Sequence, residues 1–437
     1  MSLPDPNPVD VLIFIEHVAR ELDIACILAH ELEATHGRSV AFASCAWGAA
    51  EALATLTPRV VALPYCYGAS DPVLRRCLPF WPDALYVNLA FEQVFHRLNE
   101  RFKTPRDEFA KRIARHHAWG SAARDYLASH GVPLEHIFQN GNPTLALYDP
   151  PYADFYPDRA ALARRFGLDP RRRWVFAPEN YAAAFNTDLM QRDYIQRGYS
   201  PAEAEETRAY ARRALHESIR WWAAAAASSP IEVVVRPRPA VPLAMFVDEC
   251  RAVLGDRLPE RLHVIKHGSV REWIVASDVV AGGYTTTLIE AAWARKRVLM
   301  LRPLPMPAPL DADWYRLVPQ VASADEFGRA VSAVEAHDAF EPLRAWARAR
   351  VWGEADPLVA LAEYLSARVE EAQRHADASA TAARELPPID RAPPTAHLAP
   401  GLFNRHEDDV LDERRVAAAR ARWAAHLRGA ATGARPA

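Results

Sequence analysis

The sequence predicts an α/β protein of two parallel-sheet units facing each other across a cleft, followed by a tail of different composition. Three observations carry that expectation. Strand-like apolar runs alternate with helical periodicity through the first third of the 437 residues; a breaker-rich, aromatic stretch at 137–158 interrupts them; the same alternation then restarts. Strands buried on both faces and joined by helices imply a parallel sheet, whose ligands collect outside the strand carboxyl ends. The length exceeds one ordinary core. The expected division is therefore a first unit over residues 1–150, a second over 151–371 and a tail over 372–437.

In the first unit, Val9–Ile15 is a continuous apolar run, Leu22–Thr35 has helical spacing, and Gly37 ends that helix. Val40–Cys45 reads as the next strand. A helix across Gly48–Leu56 leads to a strand at Arg59–Pro64, with further strands expected at Ala84–Leu89 and around His117–Trp119. The second unit opens with a strand at Trp174–Ala177. A long helical region at Pro201–Ala227, strands at Ile231–Arg236 and Leu262–Lys266, and a strand-helix-strand in "VVAGGYTTTLIEAAWARKRVLML", 279–301, follow. In the tail, "ELPPIDRAPPTAHLAPG" predicts irregular chain and Asp409–Leu427 a terminal helix. That helix sets arginines beside Ala, Val and Trp423, a pattern that suits peripheral contact with anionic lipid, and equally a solvated or self-associating helix.

Composition removes several classes. A net charge of −3 and a pI near 6.6 carry no signature of a nucleic-acid partner. The five cysteines form no CxxC, and the histidines no HExxH, so neither a structural zinc nor a zinc-hydrolase site is expected. No cofactor is expected either. No signal-peptide pattern opens the chain and no run of about 18 apolar residues follows. Cytoplasmic residence is the expectation.

The chemistry-bearing segments sit at strand ends. In the 279–301 stretch, Gly282 and Gly283 permit a close approach of backbone. Thr285, Thr286 and Thr287 offer hydroxyls and amides at a helix start, where an anion is favoured, and Glu290 suits ribose hydroxyls. "IEVVVRPRP" sets Arg236 and Arg238 just past a β-branched strand, two donor forks for phosphate oxygens. Both segments also have a plainer reading, a capped helix and an exposed basic turn. Where the first strand gives way to helix, "IEHVARELD" crowds acidic groups at the cleft side of the sheet, where one could serve as base for a hydroxyl nucleophile. Glu16 is the first choice, Glu21 the second and His17 the third. Tyr65, Tyr67, Glu92 and Gln93 set aromatic faces beside hydrogen-bonding groups at strand ends, and Glu179, Asn180 and Asn186 point to the same cleft.

The Arg-Pro strand end, Trp273 with Ser277-Asp278, the Thr-rich turn with Glu290 and the strand "RVLML" together resemble the donor half of GT-B glycosyltransferases. Within them the likeness is to bacterial surface-carbohydrate transferases related to Kdo, polysialic acid and CDP-glycerol transferases. "FIEHVARELDIACILAHELEATHGRSVAF", and "IFQNGNP" followed by "LARRFGL", are similar to the group labelled surface carbohydrate biosynthesis proteins, over roughly residues 8–330. The resemblance implies two facing Rossmann-like domains and metal-independent sugar transfer. The donor would be a nucleotide sugar bound through Arg236, Arg238, Gly283, Thr285–Thr287 and Glu290. The acceptor would be a glycan or lipid-linked glycan of capsule, O-antigen or lipopolysaccharide, its sugar contacted by Tyr65, Tyr67, Glu92 and Gln93 and its attacking hydroxyl deprotonated from the "IEHVARELD" segment. No Asp-x-Asp metal site is expected. One departure stands out: such relatives commonly carry Arg-x-His-Pro where this chain has Arg236-Pro237-Arg238-Pro239, and arginine is no acid at neutral pH. A non-hydrolysing sugar-nucleotide epimerase and a polyol-phosphate transferase share the fold. A non-catalytic nucleotide-sugar-binding or assembly protein is the reading that the missing His favours.

Overall fold

The computed structural model describes residues 6–45, 49–94, 96–196, 198–239, 241–333, 338–353, 355–385 and 410–432. Two six-stranded parallel sheets frame it. The first holds β1 (Asn7–Ile15), β2 (Val40–Ser44), β3 (Leu56–Leu63), β4 (Leu85–Asn88), β5 (Arg115–Ala118) and β6 (Ile137–Gln139), in the order β2-β1-β3-β4-β5-β6. The second holds β7 (Arg173–Pro178), β8 (Ile231–Arg236), β9 (Leu262–Val264), β10 (Val279–Gly282), β11 (Arg297–Leu301) and β12 (Gln320–Val321), in the order β12-β11-β10-β7-β8-β9. Each expected strand is present. β6 and β12 were hidden, the first among the Asn-Gly and Asn-Pro breakers, the second because two residues carry no period.

The strands form where the pattern demands burial on both faces. Val11 through Ile15 are at most 1 % exposed, as are Val60 through Leu63 and Val233 through Val235. The helices that position the site are numbered α1 (Val18–Ala34), α2 (Ser121–Ser129), α3 (Pro201–Ser228), α4 (Val270–Ala276), α5 (Thr287–Trp293), α6 (Glu341–Val351), α7 (Pro357–Glu385) and α8 (Glu413–Thr432). α3 starts where its sequence says it should. Ser200 caps the amide of Glu203, the Glu203 carboxylate returns to the Ser200 amide, and Pro201 occupies the first turn.

After α6 the chain leaves the second sheet and returns to the first. Leu358, Leu361 and Leu365 of α7 are fully buried in the same core as Val11, Ile13 and Leu28. Residue 371, the expected end of the second unit, lies inside α7, where Glu371 pairs with Arg115 of β5 at 2.6 Å. α8 packs on α1. Trp423 is fully buried, stacked on Phe155 with centroids 3.6 Å apart, and Arg420 reaches Glu33. Trp423, on the helix for which lipid contact was one of two readings, is thus used inside the protein, where it finds both ring and hydrogen-bond partners. The 386–401 portion of the expected irregular stretch lies outside the described residues.

Candidate functional site

Strand order reverses between β1 and β3 in the first sheet and between β7 and β10 in the second, and crevices at such points take ligands. The predicted residues gather at these two places.

In the first crevice, Glu16 follows β1 and Tyr65 follows β3. Arg20, in the first turn of α1, spreads over three carboxylates: Glu21 at 2.6 Å, Glu16 at 2.8 Å and Glu92 at 2.8 Å. Lys103 meets Glu92 at 2.9 Å and lies 5.9 Å from the centre of the Tyr67 ring. Lys103 first, then Arg20, and Arg238 from the second unit hold the Glu92 carboxyl well below its ordinary range. Burial pushes the Tyr65 phenol up, with Cys45 and Glu16 adding to it, and takes Tyr67 up to about 12.

Glu21 is not placed as a base. It is 1 % exposed; Oε2 accepts the Glu16 amide at 2.7 Å and Oε1 accepts two Arg20 donors. Burial pushes its carboxyl up while Arg20 opposes that. It braces the turn that presents Glu16, whose side chain is 32 % exposed. Gln93 is likewise engaged, donating to the carbonyls of Ala90 and His117 and accepting the Trp119 amide.

In the second crevice, Glu179 and Asn180 follow β7, flanked by Arg236 at the end of β8, by Arg238 two residues on, and by Gly283–Thr287 after β10. Asn180 donates to the Tyr284 carbonyl at 2.8 Å. Glu179 is 4 % exposed; burial pushes its carboxyl up against the pull of Arg238. The two arginines part company. Arg236 is 6 % exposed and donates to the Gly268 carbonyl at 2.8 Å, so it ties down the turn before α4 instead of facing a ligand. Arg238 is half-buried, within electrostatic reach of Glu179, Tyr284 and Glu92.

The Thr-rich turn divides similarly. Thr285 is buried, its hydroxyl donating to that of Thr287 at 3.1 Å and accepting the Thr287 amide at 3.2 Å. Thr286 is exposed, at the start of the seven-residue α5. Gly283 is required for a neighbour in the chain: a Cβ there would lie 2.8 Å from the Tyr181 hydroxyl. Glu290 accepts the Tyr148 hydroxyl at 2.8 Å, and burial pushes its carboxyl up against the pull of Arg271.

The two crevices belong to one cleft. Phe102 stacks on Tyr199 with centroids 5.3 Å apart, and the His96 ring lies 6.3 Å from that of Tyr284, so the segment after β4 reaches across onto the second unit. A buried polar seam joins the units at the other side. Arg271 of α4, 0 % exposed, donates to the Arg20 carbonyl at 2.7 Å and to Asp23 at 3.4 Å, and Asp23 also accepts Tyr156 and Trp423.

Lys103 and Arg271 were missed. Lys103 is one of only four lysines in the chain, a weak signal beside Phe102 and Pro105. Arg271 stands on a short apolar helix without a sequence partner. The chain also does contain one Asp-x-Asp, Asp311-Ala312-Asp313, with Asp313 paired to Arg350 at 2.9 Å. Among the described residues no group of three metal-ligating side chains assembles.

No family model and no curated protein sequence matches the chain. Solved structures do match in fold. A putative UDP-N-acetylglucosamine 2-epimerase from Listeria monocytogenes superposes with a TM-score of 0.52 at 12% identity, over 83% of this chain and 97% of the other. The wall teichoic acid polymerase TagF gives 0.51 at 8%, over 85% and 91%. The S. aureus MnaA–UDP structure gives 0.50 at 10%, over 82% and 97%. The architecture is GT-B-like: two α/β units, each built on a parallel sheet, with helical segments after the second.

Proposed function

We propose that this protein is a glycosyltransferase that moves a sugar from a nucleotide-sugar donor onto a bacterial surface glycan, working in the cytoplasm. The observation that carries the reading is that the candidate donor and acceptor residues line one cleft, bridged where Phe102 of the first unit stacks on Tyr199 of the second with centroids 5.3 Å apart and the His96 ring lies 6.3 Å from that of Tyr284. Arg238, on the donor side, adds to the charges that lower Glu92 on the acceptor side. Donor phosphates would meet Arg238 and the exposed Thr286, with Glu179 and Asn180 fixing the strand end behind them. In the acceptor crevice, Glu16 takes the proton of the attacking hydroxyl as its oxygen bonds to the anomeric carbon. The nucleoside phosphate leaves with the bonding electrons, its charge met by Arg238 acting electrostatically and not as an acid. Arg20 and Glu21 hold Glu16 in place. Closure of the cleft would keep water from hydrolysing the donor.

A thermal-shift panel of CMP, CDP, UDP, GDP and dTDP tests the donor site. One nucleotide at 100 times its dissociation constant is expected to stabilise the protein by about 2.7 kcal/mol, and no response to any of them would sink the proposal. Incubating the matching nucleotide sugar without acceptor then separates reactions of one fold. A transferase leaves the sugar largely intact, whereas conversion of the donor sugar by the protein alone would establish an epimerase instead.

A further inference from the structure

We infer that a second cavity between the two units is a carbohydrate subsite. About 410 Å³ in volume, it lies between Gln93, Val94, His96 and Arg97 with the start of α2 on one side, and Asp311–Asp313 and Arg316 with the end of α6 on the other. That is in the size range of small-molecule sites. Its wall includes none of the β7, β8 or β10 strand-end residues, so it is separate from the donor crevice.

Three features select the ligand chemistry. First, the lining charges balance: Arg97, Arg316 and Arg350 stand against Glu100, Asp311 and Asp313. Burial holds His96 neutral, its imidazole lowered to about 4. An anion such as phosphate would meet three carboxylates, one of them, Asp313, already paired with Arg350 at 2.9 Å. Second, two indole rings, Trp119 and Trp346, form part of the wall, and sugar rings present apolar C–H faces to aromatic planes. Third, the wall holds polar groups without partners. The Trp119 indole N–H is a buried, unpaired donor, Nδ1 of the neutral His96 is an unpaired acceptor, the other ring nitrogen meeting the Pro309 carbonyl, and α2 begins at Gly120 with no side-chain cap over its first amides. A polyhydroxylated ring can donate to the carboxylates, accept from the guanidiniums and amides, and stack on an indole.

The two sides of the wall also meet closely. Gly120 approaches α6 so closely that a Cβ would lie 1.9 Å from the Arg350 carbonyl oxygen. The role assigned here, holding a sugar ring of the acceptor glycan, rests on the proposed function; the binding itself does not.

Saturation-transfer NMR on the full chain provides the test, with maltose, lactose and N,N′-diacetylchitobiose as probes and pyrophosphate as the anionic competitor. At least one disaccharide is expected to give a signal. Ala122→Trp should abolish it, since Ala122 is an exposed wall position where bulk fills the cavity without touching the core. Trp346→Ala should weaken binding about tenfold. No signal from any of the three, a signal that survives Ala122→Trp in folded protein, or displacement by pyrophosphate would each overturn the inference. The nucleotide panel run on the same samples keeps the two proposals apart. Sugar binding without any nucleotide response defeats the proposed function and leaves this subsite standing.

Discussion

The indole N–H of Trp423 lies 2.9 Å from Oδ1 of Asp23, 400 positions earlier in the chain. Asp23 also accepts the Tyr156 hydroxyl at 3.1 Å and faces Arg271 at 3.4 Å, so one carboxylate joins α1, the crossing segment, the second unit and α8. Trp423→Ala is expected to cost about 3–5 kcal/mol, the usual range for emptying a buried tryptophan site. Trp423→Phe, which keeps most of the stacking on Phe155, should cost about 1 kcal/mol more than a neutral change. Urea unfolding followed by far-UV circular dichroism checks both. Equal losses would mean that the hydrogen bond, and not the ring, holds α8.

Arg236 and Arg238 differ by two positions and should fail differently. Arg236→Ala removes a buried donor to the Gly268 carbonyl, so the melting temperature falls. Arg238→Ala should leave it nearly unchanged and weaken the nucleotide that wins the panel by about 10–100-fold, the loss of one hydrogen bond to a charged group. Calorimetric titration of both variants reads the contrast. Unaltered nucleotide affinity in Arg238→Ala would remove the donor-side assignment.

His116 sets an acid limit on stability. It is fully buried, with Nε2 2.6 Å from the Ala110 carbonyl and Nδ1 3.2 Å from the Asn88 amide nitrogen, and burial lowers it to about 4. An unfolded histidine titrates near 6.5. Between those values the unfolded chain takes up a proton that the folded one refuses, so stability is full above pH 6.5 and is lost as pH falls toward 4. The gap corresponds to about 3 kcal/mol. Urea midpoints at descending pH should drop through this window, and the His116 ring signal in NMR should show no titration near 6.5.

Gly120→Ala brings a methyl group to within 1.9 Å of a backbone oxygen, which cannot rotate away. The two units must separate locally or the strand end must shift. The expected loss is about 1–3 kcal/mol or more, with the emission of Trp119 and Trp346 moving to longer wavelength. A variant with unchanged stability would show that the Gly120–Arg350 contact is loose.

The parallel sheets were legible because double-sided burial leaves uninterrupted runs such as "VLIFI" and "IEVVV", and because helices must connect parallel strands. Clustering of chemistry at strand ends followed from the same topology, which is why Glu16, Tyr65, Glu92, Arg238 and the Gly283–Thr287 turn all lie near a crevice. Which member of a pair faces outward was not legible. Arg236 and Arg238 look alike in sequence, yet the last strand residue is drawn into the sheet's packing while the second residue past it is released. Glu16 and Glu21 are divided by a helix turn that buries one of them. Lys103 owes its role to Glu92, 11 positions earlier across a loop, and Arg271 to Arg20, 251 positions earlier across a domain boundary, and no local period encodes such meetings. The α7 return was hidden for the same reason, since its apolar face fits any sheet.

That return reverses the customary order of birth. Proteins emerging from the ribosome usually complete their amino-terminal domain first. Here Leu358, Leu361, Leu365 and Trp423 belong to the core that also contains Ile13 and Leu28. The half translated earliest must therefore wait, its α1 and β1 side uncovered, while the later half acquires everything it needs from residues already made. A nascent chain halted near residue 350 would carry a finished second lobe beside an unfinished first one, a natural client for chaperones.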